Sequence, residues 1–407
     1  MKRRQFIGTT LGSAAVVALP RVGRPSTGHE IVLKNVQALI GGEFKKCDIG
    51  ISEGRIAAID QPGTLISGNQ VIEGGDLYVS PGWVDYHVHL VDREYGRAVG
   101  VPVSRLGVEH GVTALVDAGT TGAADFRQFK EAVNDSPKMT SFAFINIKRQ
   151  GIKLTEFYRT RKGWDDIPAM EVALSEYGNL IVGIKVRVDK MLTPRSDRLY
   201  YVRKCREAGD LFRLPVMVHI GPPPPSLTEI LPLLKQGDTI THCLRGQGNC
   251  VVDERGKIRD DVKDAYERGV RFDVGHGTTS FSFSAAEHAL EQGFTDLTIS
   301  SDIHLLSARR YAKTFANVMT QFLAIGMPLE DIAERASTRP ARLLGIERKI
   351  EPGAEAALTV FRVVEGDFTC VDVVKDTRKS AGRIIPEWTI LNGKAHRAGD
   401  LDRELFL

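Results

Sequence analysis

Ser80 to Gly96 reads SPGWVDYHVHLVDREYG and places two histidines, His87 and His89, one residue apart in an apolar run. Alternate residues of a strand share a face, so both imidazoles project to one side. Two readings are open for the run by itself: a pair of metal ligands at a strand end, or two histidines on a half-buried strand. The residues that follow bear on the choice. Seven further apolar runs appear in order: TALVDAG, TSFAFINI, IVGIKVRV, PVMVHIG, DTITHC, RFDVGHG and DLTISSDIH, with helix-patterned stretches between them. Near-continuous apolar runs are what strands buried on both faces require. Eight of them between Pro81 and His304 predict an α/β protein built on a (β/α)8 barrel. A doubly wound open sheet is the competing architecture, but no run leads into the G-x-G-x-x-G phosphate loop.

Outside the barrel the character changes. From Ile31 to Val79, and again in AALTVFRV, TCVDVV and EWTILNGK near the C-terminus, short alternating runs are broken by Gly and Asn, the pattern of exposed-edged β structure. These ends are expected to pair into one small β domain, residues 29–79 and 347–407, with the barrel over residues 80–346 inserted between them. TRPARLLGI, Thr338 to Ile346, reads as the helix that returns the chain to it. The prolines from Pro222 to Pro225 stiffen the loop after the fifth strand.

Composition narrows the function classes. The 407 residues are 42% hydrophobic and 26% charged, ordinary for a globular enzyme. The formal charge of +3 comes from the first 28 residues, which carry five basic and no acidic side chains; the remainder has 49 basic against 51 acidic. No basic surface for nucleic acid is indicated. The first residues, MKRRQFIGTTLGSAAVVALP, have a charged start, an apolar stretch and a proline stop, the layout of an export signal. Arg3 and Arg4 ahead of Gln5-Phe6-Ile7 point to the twin-arginine type over residues 1–28, and so to a periplasmic or secreted protein. The stretch is too short and glycine-rich to remain as a stable membrane span. The cysteines, Cys47, Cys205, Cys243, Cys250 and Cys370, contain no C-x-x-C and are odd in number. They are expected to be mostly reduced packing residues, with Cys243 and Cys250 the nearest pair if one bridges.

Barrel enzymes place their chemistry at the C-terminal ends of the strands. Five of the eight runs carry a polar group there: His87 and His89 on the first, Lys185 on the fourth, His219 on the fifth, His242 on the sixth and Asp302 on the eighth. One histidine in an apolar strand is most simply a hydrogen-bonded core residue. A lysine in such a run is rarer, because a buried unpaired ammonium is costly. The ordered set of six is hard to obtain from packing alone.

That set, with PGWVDYHVHL, GVTALVDAGT, VGIKVRV, THCLRGQG, FDVGHG and SSDIH, resembles the amidohydrolase superfamily in its two-metal subtype, and within it the deacetylase-like amidohydrolases near dihydroorotases and N-acyl-amino-acid hydrolases. The resemblance spans most of Ile31 to Lys394. It implies a distorted TIM barrel with a small β-sandwich domain made from both chain ends. It also implies two zinc ions, Mn²⁺ or Co²⁺ being compatible with the same donors, and a CO₂-derived carbamate on Lys185 as bridging ligand. Carried over, His87, His89, Lys185 and Asp302 hold one metal, and Lys185, His219 and His242 the other. The implied activity is hydrolysis of an amide or ester by a hydroxide bridging the metals, with Asp302 as catalytic base. Deacylation of a small N-acyl or O-acyl carboxylate is the expected subtype. A cyclic amidase or lactonase is the alternative, and a non-catalytic exported binding protein a remote one. The partner is a small acylated molecule; homo-oligomerisation is left open.

Three further residues are substrate-binding candidates: His276 at the end of the seventh run, Arg187 two residues beyond Lys185 and on its face, and Arg245 in the loop after the sixth run. His304 is expected beside the metals without ligating them. His29, His110, His288 and His396 belong to no constellation. Two departures limit the resemblance. Val91 stands where dihydroorotases carry an arginine, and GAEAALTVF, Gly353 to Phe361, lacks the aspartates of the usual returning turn.

Overall fold

The computed structural model describes residues 28–65, 67–92, 99–134, 139–153 and 162–399. The expected export signal lies outside the described residues, apart from Gly28. Five strands open the chain: β1 (His29–Ile40), β2 (Glu43–Ser52), β3 (Arg55–Asp60), β4 (Gly68–Glu73) and β5 (Tyr78–Pro81). Eight follow in the central region: β6 (Trp83–Val88), β7 (Val112–Gly122), β8 (Thr140–Asn146), β9 (Ile181–Val188), β10 (Val216–Ile220), β11 (Thr239–Thr241), β12 (Arg271–Asp273) and β13 (Leu297–Thr298). The last three are β14 (Leu358–Val371), β15 (Thr377–Leu391) and β16 (Lys394–Arg397).

Strands β6 to β13 pair in chain order, every pair parallel. A parallel bridge between Val88 and Ile303 brings the last run back to the first. The (β/α)8 barrel is therefore present, and all eight apolar runs supply its strands. It is uneven: β7 extends over 11 residues, whereas β11, β12 and β13 have 3, 3 and 2. The short strands release the chain early into the loops that carry His242, His276 and Asp302.

The flanking strands form the second unit, ordered β16-β15-β14-β5-β1-β2-β3, with β4 branching from β1. Strand β1 makes this possible. Its register shifts between Leu33 and Val36, so its first half pairs with β4 and its second half with β5. The branched sheet curls over a core of Leu33, Val36, Ile49, Ile51, Val79, Leu358 and Ile390. Asn392 and Gly393, at φ of 52° and 70°, form the tight turn between β15 and β16.

Sequence patterning did not anticipate the reach of β14 and β15. Phe361, Cys370 and Ile384 pack into the barrel core rather than the sheet's own. At the hairpin tip, Asp372 Oδ2 accepts from the Phe283 N–H at 2.8 Å, and Arg378 pairs with Glu287 on the barrel helix Phe283–Glu291. The Thr338–Leu343 helix lies in the stretch expected to close the barrel. All five cysteines are free and buried. Among the described residues, no helix is long and apolar enough to cross a membrane.

Candidate metal centre

The first strand end sets the geometry. His87 Nδ1 lies 2.8 Å from Thr241 Oγ1, and that hydroxyl gives its own hydrogen to Asp273 Oδ2 at 2.6 Å. Thr241 must therefore accept from His87 Nδ1–H, which leaves the lone pair on Nε2. His89 is oriented the same way, its Nδ1 being 2.8 Å from Thr120 Oγ1 on β7. Both Nε2 atoms face Asp302 Oδ1, at 3.5 Å from His87 and 3.2 Å from His89. Each of these three buried residues offers a ligand atom, and the three atoms lie within 4.8 Å of one another.

Lys185 enters from β9, fully buried. Its Nζ is 3.3 Å from His87 Nε2 and 3.1 Å from Met217 Sδ. On its other flank His242 donates Nδ1–H to the Gly275 carbonyl at 2.6 Å, again freeing Nε2, which lies 2.6 Å from His219 Nδ1. The His87 and His242 rings are 5.1 Å apart. The structure thus brings all six expected residues to one end of the barrel: a His87–His89–Asp302 group with Lys185 against His87, and a His219–His242 pair on which the Lys185 charge acts.

Burial governs the electrostatics. Desolvation holds His87, His219 and His242 well below the usual imidazole range and brings His89 down to about 3. All four are neutral, the form that donates a lone pair. Burial pulls Lys185 down to about 7, against the opposing pull of the Asp302 and Asp273 charges. Asp302 is raised by desolvation and held back by the His304, Lys185 and Arg187 charges. Asp85 behaves similarly: burial raises it to about 7 although Ser301 donates to it through both its hydroxyl and its N–H.

The substrate-binding candidates divide. Arg187 faces the cluster, and its charge acts on His89, His219, His242 and Asp302. Arg245 is buried, donating to Ser280 Oγ at 3.3 Å and the Ile220 carbonyl at 3.4 Å. Burial lowers its pKa, against the opposing Cys250 and Asp189 charges. His276 turns away from the metal ligands. Its Nε2 lies 2.9 Å from Gln321 Oε1 and its ring stacks on Phe281 at 4.8 Å. His304 sits beside His89, ring centroids 6.2 Å apart. Thr120, Thr241, Asp273, Asp85 and Ser301 orient the ligands and were not singled out from the sequence. Asp85, Thr241 and Ser301 do stand within two residues of candidate ligands, but Thr120 and Asp273 carry no such mark.

Imidazole lone pairs and a carboxylate that converge, with each far nitrogen of His87, His89 and His242 anchored, fit a divalent metal of the zinc class. No protein-family model matches the chain. It is 31% identical to a deacetylase of Agrobacterium fabrum, over 90% of this chain and 91% of that one. It is 32% identical to a deacetylase of Enterococcus faecalis, over 90% of this chain and 99% of the other. The crystal structure of a dihydroorotase superposes with a TM-score of 0.82 at 30% identity, covering 91% of this chain and 99% of its own. With the barrel, the accompanying sheet and these likenesses together, the chain belongs to the amidohydrolase superfamily.

Proposed function

We propose that this amidohydrolase removes an acyl group from a small N-acyl or O-acyl carboxylate, using two zinc-class ions. The observation that carries the reading is the convergence of His87, His89 and Asp302, with Lys185 against His87 and the His219–His242 pair within reach of its charge. His87, His89, Asp302 and a carbamate on Lys185 would hold one ion; the same carbamate, His219 and His242 would hold the second. When bound, the ions supply a water of lowered pKa and polarise the scissile carbonyl. The chain's own groups do the rest. Asp302 takes the proton of the attacking water and delivers it to the leaving nitrogen or oxygen. Arg245 and Arg187 hold the substrate carboxylate, the planar guanidinium being the group that matches a carboxylate with two parallel hydrogen bonds. His276 is carried as a weaker substrate contact, because Gln321 occupies its Nε2.

The test is a hydrolysis screen on zinc-loaded protein. It should include N-acetyl amino acids and O-acetyl hydroxy acids in both enantiomers, with hydantoins and lactones alongside. Turnover of acylated acids with loss on removing the carboxylate is expected. The likeness to a dihydroorotase favours a cyclic amidase as the second reading, and Val91 weighs against it. Preference for a ring substrate would replace the deacylase reading. Less than one metal equivalent, unaffected by changing Lys185, would replace both with a binding protein. We further propose export through the twin-arginine-like N-terminus; retention in the cytoplasm of a fusion carrying residues 1–28 would refute it.

A further inference from the structure

A second cavity, of about 360 Å³, lies between the barrel and the long hairpin. Its walls are the segment before the helix Phe315–Ala324, one face of that helix, and the end of β14. Arg310, Tyr311, Lys313, Gln321, Thr369 and Cys370 line it, and no acidic residue does. The volume suits a small metabolite.

Its polar groups stand at an open rim: Arg310, Lys313 and Thr369 are exposed and Tyr311 is half-buried. Among the described residues, Arg310 and Lys313 have no carboxylate within 4.0 Å, and the Tyr311 and Thr369 hydroxyls have no hydrogen-bond partner. Other basic side chains of the same fold are paired, as Arg206 is with Asp238 and Arg378 with Glu287. Burial raises the Cys370 thiol, and the nearby Lys313 and Arg383 charges hold it back. The floor is rigid: Gln321 Nε2 donates to the Tyr311 carbonyl at 3.1 Å, and Asn317 Nδ2 donates to the same oxygen at 3.0 Å. Gln321 also meets His276, so the cavity backs onto the loop after β12 without opening into the metal cluster.

We propose that this cavity is a binding site for a small oxyanion, a carboxylate or phosphate compound, separate from the metal centre. Arg310 and Lys313 supply the charge, and the two hydroxyls supply neutral donors. The site requires nothing of the reaction catalysed at the barrel mouth, so it stands or falls independently of the acyl substrate.

The experiment is calorimetric titration of the metal-loaded protein with inorganic phosphate and, separately, with malonate. Phosphate taken up at the metals gives a component common to all variants. The cavity component should weaken by roughly tenfold or more in R310Q/K313Q, the size of one lost charge-assisted contact. Thr369→Trp, which keeps both cations and fills the mouth, should weaken it as well. K45Q/K46Q, on exposed β2, should leave it unchanged. Phosphate against malonate affinity tells which anion the site prefers. The proposal is overturned if neither cavity variant weakens any component, or if K45Q/K46Q weakens it equally.

Discussion

Asp302 is fixed by its backbone rather than by its carboxylate. Its N–H donates to the His87 carbonyl at 2.7 Å, Ser307 Oγ donates to its carbonyl at 2.8 Å, and its φ is 46°. The carboxylate is left to face the two Nε2 atoms. Asp302→Asn keeps the size and one oxygen donor but removes the proton acceptor. Its kcat should fall by about 10²- to 10⁴-fold, with metal content largely kept; near-normal kcat in a metal-replete variant would remove Asp302 as base. Lys185 offers a second test. A carbamate forms only from the neutral amine, and burial places its pKa at about 7 instead of 10.5. Below pH 7 the ammonium predominates, so the rate at which bicarbonate promotes zinc uptake by apoprotein should drop about tenfold per unit there and level off above. A rate still climbing at pH 9 would contradict a depressed amine. The proposed ligands were legible because each is a polar group stranded in an apolar run. Thr241 and Asp273 were not, since a buried threonine or aspartate gives no sign of the neighbour it will orient.

At the scale of elements, the strand order was readable and the strand lengths were not. Eight apolar runs alternate with helical patterning whatever the hydrogen bonding, but β11 to β13 keep only their first residues in the ladder. The remainder turns inward, with His242 and Asp302 at positive φ, a cost that ligand geometry imposes on non-glycine residues. Strand β7 shows the complementary adjustment. Gly119, at φ 83°, lies directly against Lys185, where an added Cβ would come within 2.6 Å of Lys185 Cβ. Gly119→Ala therefore combines backbone strain with a clash on the lysine proposed to bridge the two metals. We expect it to lose zinc stoichiometry, measured by elemental analysis, by about half or more. Full metal content and activity would show that Lys185 has room to spare.

The whole molecule is tied together where the sheet and barrel share side chains. Phe361 belongs to β14 of the small sheet, yet it is fully buried in the barrel core, stacked on Tyr78 at 5.6 Å and tilted against Trp83 at 5.5 Å. Trp83 begins the first barrel strand, and its backbone N–H donates across the same seam to Thr359 Oγ1 at 3.0 Å. Alternating runs at both chain ends foretold that the ends would pair; they did not foretell that the hairpin would extend over the barrel, because a strand with one solvent face and a strand that changes partners halfway carry similar patterns. A shared core makes the two units one cooperative system. Phe361→Ala should lower stability by about 3–5 kcal/mol, the cost of an aromatic cavity in a closed core. Because the cavity lies on the seam, the loss should move one transition, with far-UV dichroism and tryptophan fluorescence coincident, since Trp164 reports from the barrel and Trp388 from the sheet. Two separated transitions in the parent protein, with the substitution shifting only the one reported by Trp388, would mean that the sheet folds as an independent unit and that Phe361 is its own core residue.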